Sequence, residues 1–191
     1  RKKGNNDPKP NSFLIVSEGE KTEPLYFQGL ADHINGTDIK RINAVEKPTI
    51  DPEGIGRSTV KLVNEAKKLV ARGKIHYSQV WIVFDKDDFQ DFDEAIRLAQ
   101  SYGYHVAWNN RSFEFWIFLH FHYSDADLNQ NDWVEKISEI FKREGINSNG
   151  YQKNDKDVFT IATTKGSLKE AIKRAERIEK IFPANLSPSR C

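Results

Sequence analysis

Val80-Trp81-Ile82-Val83-Phe84 is the strongest strand signal in the chain, and it runs directly into Asp85-Lys86-Asp87-Asp88. A short, continuous run of β-branched and aromatic residues is typical of a strand buried on both faces of a parallel sheet. A group of acidic residues at the end of such a strand marks the place where the chain leaves the core. This stretch therefore predicts both a central strand and a polar sheet edge.

Two further runs have the same form. Phe13-Leu14-Ile15-Val16 ends in Ser17-Glu18-Gly19-Glu20, and Tyr104–Trp108 ends in Asn109-Asn110. A weaker strand is predicted over Asp38–Lys47. Helical patterns separate the strands, and this alternation predicts an α/β fold with a mostly parallel central sheet and helices on both faces.

The helices are predicted from apolar spacing and from residues that begin or end helices. Thr49–Gly56 is predicted to be a loop, because it contains Pro52 and two glycines. Two capping-box patterns are expected to open late helices, Asp132-x-x-Glu135 and Ser167-x-x-Glu170. The predicted helices begin near Thr22, Ser58, Phe92, Phe113, Asp132 and Ser167.

Composition places limits on function. The 191 residues are 38% hydrophobic and 30% charged, with a net charge of +1, so charge alone neither supports nor excludes a phosphate-bearing partner. No signal peptide, lipidation motif or apolar run near the roughly 20 residues of a bilayer span is present. The single cysteine, Cys191, cannot form an internal disulfide or a Cys-rich zinc site. We expect a cytoplasmic protein without a membrane segment.

The acidic residues after the first two strands predict a metal site. In parallel sheets ligands bind outside the carboxyl ends of the strands, so Glu18, Asp85 and Asp87 are expected to meet there, at what we call the acidic edge. Asp85 and Asp87 are two residues apart and point the same way in extended backbone, where they repel unless a cation separates them. Carboxylates without cysteine or paired histidine favour Mg²⁺ or Mn²⁺. Asp88 either joins through water or caps the next helix.

Neighbouring residues complete the predicted site. Glu114 falls in the first turn of the aromatic helix and is expected to aim at the acidic edge as a further catalytic or metal-binding carboxylate, although a helix N-terminus favours a carboxylate by itself. Lys21 is a candidate catalytic residue that could contact phosphate, and Lys86 and Arg111 are candidates to bind the substrate phosphate; for the two lysines, surface charge balance is an equally good explanation. His120 is expected to be a hydrogen-bonded core residue.

Three segments resemble the motifs of RloB-like proteins, also called the AbiLii type. These are Phe13–Phe27, which contains Glu-Gly-Glu-Lys-Thr-Glu-Pro; Val80–Phe89; and Asn109–Phe121, with Phe-Glu-x-Trp followed by His-Phe. The final third matches only through a late Tyr-x-Lys at Tyr151–Lys153 and an Ala-rich last helix. Asn110 departs from the pattern, which often has Pro there.

The resemblance implies a Toprim-like fold, the fold of topoisomerases, primases and nucleases of the overcoming-lysogenization-defect type. It implies Glu18 as general acid/base or metal ligand, and Asp85 and Asp87 as metal ligands. It also implies a role in prokaryotic anti-phage defence beside a separately encoded ATPase. The expected organisation is a flexible basic arm at residues 1–11, a Toprim-like core at 12–125 and a helical extension at 126–191 that packs on the core as one domain.

Together these observations predict a Mg²⁺-dependent nuclease that cleaves RNA or DNA, with a homo-oligomer left open. Other metal-dependent phosphoryl chemistry, such as that of a phosphatase or nucleotide hydrolase, is an alternative, because fold does not determine function. A non-catalytic partner module of a defence ATPase is another. The segment Gly54-Ile55-Gly56-Arg57-Ser58 is not a P-loop, so ATP hydrolysis is expected only from a partner.

Overall fold

The computed structural model describes residues 12–36, 49–55, 59–73, 76–86, 91–110 and 112–181, without the side chains at 35, 36, 49, 50 and 110. The predicted arm at 1–11 and the predicted weak strand at Asp38–Lys47 lie outside these residues.

Strands and helices alternate in the described part of the chain, as the sequence predicts. Their order is β1 (Ser12–Ser17), α1 (Thr22–Gly36), β2 (Thr49–Gly54), α2 (Thr59–Arg72), β3 (Gln79–Lys86), α3 (Phe92–Ser101), β4 (His105–Asn110), α4 (Phe113–Leu119), α5 (Gln130–Arg143), α6 (Val158–Thr164) and α7 (Leu168–Ile181). In the described residues, no helix is long and apolar enough to cross a membrane.

The strands form one parallel sheet in the order β2-β1-β3-β4. β1 pairs with both β2 and β3, and Val16 lies opposite Ile82 in this register. Leu14, Val16 and Ile82 share one face and are buried against α2 and α3. The predicted central strand at Val80–Phe84 is confirmed as part of β3.

The opposite face of the sheet carries α1. Side chains alternate along a strand, so Ser17 and its partner Gly54 face away from Leu14 and Val16. A methyl group added to Gly54 would lie 2.5 Å from Cγ of Pro24, in the first turn of α1. Helices therefore cover both faces, and the predicted α/β architecture is confirmed.

The prediction of a loop at Thr49–Gly56 was wrong, because Thr49–Gly54 forms strand β2. β2 is an edge strand, and Pro52 lies opposite Ile15 in its pairing with β1. Proline lacks an N–H donor and is tolerated mainly at sheet edges, where one side of the strand needs no partner. Pairing with the buried β1 therefore outweighs a local composition that is typical of a turn.

The start of α5 also differs from the prediction. Asn129, not Asp132, is the N-cap: its side chain accepts hydrogen bonds from the backbone of Asn131 and Asp132, and Asp132 completes the capping box. Ser167 begins α7 as predicted, since its Oγ accepts from Glu170 N at 3.3 Å, but its own N–H donates to His120 O at 2.9 Å rather than to Glu170. The complete capping box is therefore that of α5, three residues earlier than predicted, and at α7 only the Ser167 side-chain half of the box is formed.

The chain divides into two compact units. The first comprises Arg1–Trp108 with Lys153–Phe159 and contains the sheet; the second comprises Asn109–Gln152 with Thr160–Cys191. In the second unit α4 packs against α5 and α7 around aromatic rings, with the Phe118 and Trp133 centroids 5.0 Å apart. The predicted domain limits at residues 125 and 126 stay a prediction.

Candidate functional site

Glu18 and Asp85 meet at the carboxyl ends of β1 and β3. Glu18 N donates to Val83 O at 2.9 Å, which extends the β1–β3 pairing by one residue. In return, Asp85 N donates to Glu18 Oε2 at 3.3 Å. Both residues are half-buried. The two neighbouring strands thus bring together acidic residues that are 67 positions apart in the chain.

The turn after β1 is held by its neighbours. Ser17 is buried, and its hydroxyl lies 3.3 Å from two carbonyl oxygens, those of Gly19 and Glu53. Ile55 N donates to Ser17 O at 3.1 Å. A methyl group on Gly54 would lie 2.5 Å from Gly19 O. The end of β2 therefore packs directly on the turn that carries Glu18.

Gly19 leaves room in this turn for the end of the Glu23 side chain. A Cβ atom at this position would collide with the carboxylate of Glu23, in the first turn of α1. The Glu-Gly-Glu-Lys-Thr-Glu-Pro string thus encodes a compact strand–turn–helix. Glu18 lies at its strand end, and Thr22 and Glu23 begin the helix.

The candidate cations differ in their surroundings. Lys21 is exposed within this turn. Lys86 is the last residue of β3, and its Nζ lies 5.7 Å from the ring centroid of Trp108 on β4. Both lysines are adjacent in sequence to acidic residues, and their roles as phosphate contacts stay predictions.

Glu114 belongs to the second unit and lies in the first turn of α4, as predicted. It is only 2% exposed, and its Oε2 accepts from Gln130 Nε2 at 3.0 Å. Ser112, the N-cap of α4, is also buried. The structure thus gives Glu114 a polar partner at the start of α5, and its role as a metal ligand stays a prediction.

Asp87, Asp88 and Arg111 lie outside the described residues. Within the described ranges, no three or more His, Cys, Asp or Glu side chains are grouped so as to hold a metal ion. Glu18 and Asp85 are the described part of the predicted acidic edge. The prediction that Asp87 completes a metal site with Glu18 and Asp85 stays a prediction.

His120 is a core residue, as predicted. It is 1% exposed, and its ring lies edge-on to Trp116 with the centroids 5.1 Å apart. Burial lowers its pKa to about 4, against the effect of a hydrogen bond to the backbone of Ala162, and the nearby charge of Arg174 lowers it further. The imidazole is therefore neutral at pH 7.

Sequence reasoning missed one contact to the turn. Thr22 Oγ1 donates to the backbone carbonyl of Lys153 at 2.9 Å, across 131 positions. The signal in the sequence is the late Tyr-x-Lys at Tyr151–Lys153, which by itself indicates no structural role. The segment Lys153–Phe159 is part of the first unit although the residues on both sides of it belong to the second.

A comparison with protein families decides the assignment. The family model described as RloB-like protein matches residues 13–189, which is nearly the whole chain. The chain belongs to the RloB-like family. No curated protein and no solved structure matches it.

The RloB-like match covers the Glu18 turn, the β3 end and the start of α4. It also extends through Lys153 and α7, where the motifs quoted from the sequence were weakest. The late segments of the chain therefore belong to the same family unit as the acidic edge.

Proposed function

We propose that this RloB-like protein is a Mg²⁺-dependent nuclease with a Toprim-like core, acting in the cytoplasm in prokaryotic anti-phage defence by abortive infection. The hydrogen bond from Asp85 N to Glu18 Oε2 carries the proposal. It supports the convergence of two acidic strand ends at the edge of a parallel sheet, where ligands bind in such folds. The defence role rests on the family resemblance.

The residues present fit a hard divalent cation. Glu18 and Asp85 offer carboxylate oxygens, and Mg²⁺ binds through one or two carboxylates while keeping several waters. Under the proposal Asp87 completes the set, with Asp88 and Glu114 as additional ligands. A bound Mg²⁺ or Mn²⁺ supplies charge stabilisation at the phosphate and lowers the pKa of a bound water.

The chain's own residues carry the proton and position the substrate. Glu18 takes a proton from the attacking water as general base. The water oxygen bonds to phosphorus while the bond from phosphorus to the leaving oxygen breaks, and that oxygen takes a proton from solvent. Lys21, Lys86 and Arg111 hold the phosphodiester against repulsion from the carboxylates.

The proposed partners follow from this chemistry. The substrate is nucleic acid, either RNA or DNA, and a separately encoded ATPase is the expected partner. The protein itself is expected to act without ATP. A homo-oligomer is compatible with these features.

The proposal is tested with a substrate panel of RNA, tRNA, single- and double-stranded DNA and free nucleotides, with Mg²⁺ or Mn²⁺. Wild-type protein should cleave a polynucleotide, and the double substitution Asp85→Ala with Asp87→Ala should abolish cleavage. Asp93→Asn, which changes an exposed carboxylate on α3, is the matched control and should leave cleavage unchanged.

Other results would point to the alternatives. Hydrolysis of nucleotides or monoesters alone would indicate phosphatase-type chemistry. A chain that neither cleaves nor binds Mn²⁺ in calorimetry would be a non-catalytic partner module. Cleavage that survives in the double variant would overturn the proposal.

A further inference from the structure

The segment Lys153–Phe159 is fixed along α1 at both ends. At one end, the Lys153 carbonyl accepts from Thr22 Oγ1, and Thr22 is buried. At the other end, Phe159 is buried and lies edge-on to Tyr26, with ring centroids 5.1 Å apart. A methyl group on Gly29 would lie 2.5 Å from Phe159 Cβ, so the two backbones approach closely. This double anchor holds Lys153 at the start of α1.

The start of α1 lies beside the acidic edge. Only three residues separate Glu18 from Thr22, and the Glu23 carboxylate lies against Gly19 within this turn. Glu18 in turn contacts Asp85 through the 3.3 Å hydrogen bond. Lys153 is half-buried, and its ammonium group stands at the end of a four-carbon side chain on a backbone that is anchored to Thr22.

We propose that Lys153 is a substrate-contacting residue whose ammonium group binds a phosphate of the nucleic acid next to the acidic edge. This inference rests on the proposed function. A site that gathers carboxylates repels a polyanionic substrate, so a cation at its border favours binding. Lys153 arrives from a distant part of the chain, which explains why local sequence patterns around Glu18 and Asp85 do not include it.

A different role for Lys153 is the neutralisation of nearby carboxylates, and it makes a different prediction for nucleic acid binding. If Lys153 only balances charge, its removal strengthens repulsion within the acidic edge, tightens the binding of a divalent cation and leaves nucleic acid affinity unchanged. If Lys153 binds phosphate, its removal weakens nucleic acid binding and lowers the salt dependence of that binding.

The test compares Lys153→Met with Lys156→Met, which changes an exposed lysine of the same segment. The probe is a fluorescein-labelled single-stranded oligonucleotide, prepared as DNA and as RNA, with Ca²⁺ in place of Mg²⁺ to suppress cleavage. Lys153→Met should weaken binding about tenfold or more, the effect expected for one charged hydrogen bond. The slope of log K against log salt should fall by about 0.7, the value for one lost phosphate contact on a single strand.

Two further variants separate position from charge. Lys153→Arg should recover most of the affinity, because it keeps a cation at the same place. Thr22→Val removes the hydroxyl that anchors the Lys153 carbonyl and should weaken binding while leaving the salt slope unchanged. Circular dichroism and thermal melting show whether each variant is folded.

The outcomes separate this inference from the proposed function. If wild-type protein binds the probe but cleaves nothing, the nuclease proposal fails while the binding comparison still tests Lys153. If wild-type protein cleaves and Lys153→Met behaves like Lys156→Met, the inference is overturned and the nuclease proposal stands. A folded wild-type protein that neither binds nor cleaves overturns both.

Discussion

Glu18 accepts a hydrogen bond from the backbone N–H of Asp85, with Glu18 Oε2 and Asp85 N separated by 3.3 Å. The bond joins the tips of two neighbouring parallel strands. It also directs the Glu18 side chain across the sheet edge toward the acidic end of β3. A carboxylate held in this way is already positioned before any ligand arrives.

Glu18→Gln should preserve the fold and remove activity. The amide oxygen can still accept from Asp85 N, so we expect the free energy of unfolding to change by no more than about 0.5 kcal/mol. Loss of the charge removes a metal ligand or general base, and cleavage should fall by about 100-fold or more. Nuclease assays and Mn²⁺ calorimetry measure the two effects. Glu20→Gln, at an exposed carboxylate two residues later, should have neither effect; equal activity in the two variants would remove Glu18 from the mechanism.

Gly54→Ala should disturb the turn that carries Glu18. The new methyl group would lie 2.5 Å from both Gly19 O and Pro24 Cγ, so β2 or the turn has to shift. Overpacking of this kind typically costs about 1–3 kcal/mol of the free energy of unfolding. Chemical denaturation should show this loss, and cleavage should fall as Glu18 moves. Glu53→Ala, on the exposed side chain before it, is the control; wild-type stability in Gly54→Ala would contradict the close packing.

Tyr77→Phe should weaken the attachment of the edge strand. The Tyr77 hydroxyl donates to Asp51 Oδ2 at 2.5 Å, which ties β2 to the segment before β3. Removing the donor should cost about 1–2 kcal/mol of the free energy of unfolding, because Asp51 loses a partner. Tyr102→Phe keeps its ring packing against Tyr104 and serves as the control for urea denaturation. If both substitutions have the same small effect, the Asp51 contact contributes nothing to stability.

The same contact predicts a dependence on alkaline pH. Burial and the hydrogen bond to Asp51 raise the pKa of Tyr77 above its ordinary value of 10.0. The unfolded chain therefore loses this proton at a lower pH than the folded chain does. The contribution of Tyr77 to the free energy of unfolding is complete below pH 10.0 and is lost as the pH rises beyond that value. Tyr77→Phe should lose less stability than wild-type protein between neutral pH and alkaline pH.

His120→Gln should flatten the acid dependence of stability. The folded-state pKa of His120 is lowered from 6.5 to about 4, so the unfolded chain takes up the proton first as the pH falls. Stability from this group is complete above pH 6.5 and declines as the pH falls to about 4, by about 3 kcal/mol in total. Denaturation between these pH values measures the slope. His122→Gln, at an exposed ring nearby, is the control and should keep the wild-type dependence of the free energy of unfolding on pH. If that dependence flattens in His122→Gln and not in His120→Gln, His120 is not the group responsible.

Much of the sheet could be predicted because its strands carry their own signal. Val80–Phe84 and Phe13–Val16 are apolar on both faces, a pattern that is typical of a covered central strand. The acidic residues after them predicted the sheet edge at which Glu18 and Asp85 meet. Parallel strands place their carboxyl ends together whatever the connecting helices are, so this part of the site followed from order and polarity.

Other features depended on contacts that no local pattern contains. β2 has a turn-like sequence with Pro52 and becomes a strand because β1 offers a partner at the sheet edge. Helix α6 (Val158–Thr164) was not predicted, since its few apolar residues gain stability by burial rather than by periodicity. The capping box of α5 begins at Asn129 rather than Asp132, which local preference alone did not distinguish.

The sequence by itself determined the α/β class, the central strands and the acidic residues at their ends. These features depend on local patterns, namely short apolar runs that end in acidic residues and alternate with helical spacing. Only the tertiary structure decided that Glu18 reaches Asp85 and that Lys153 is anchored on Thr22. Those contacts join residues 67 and 131 positions apart. They arise from strand order and from close packing along α1, and neither can be predicted from the periodicity of apolar residues in the sequence.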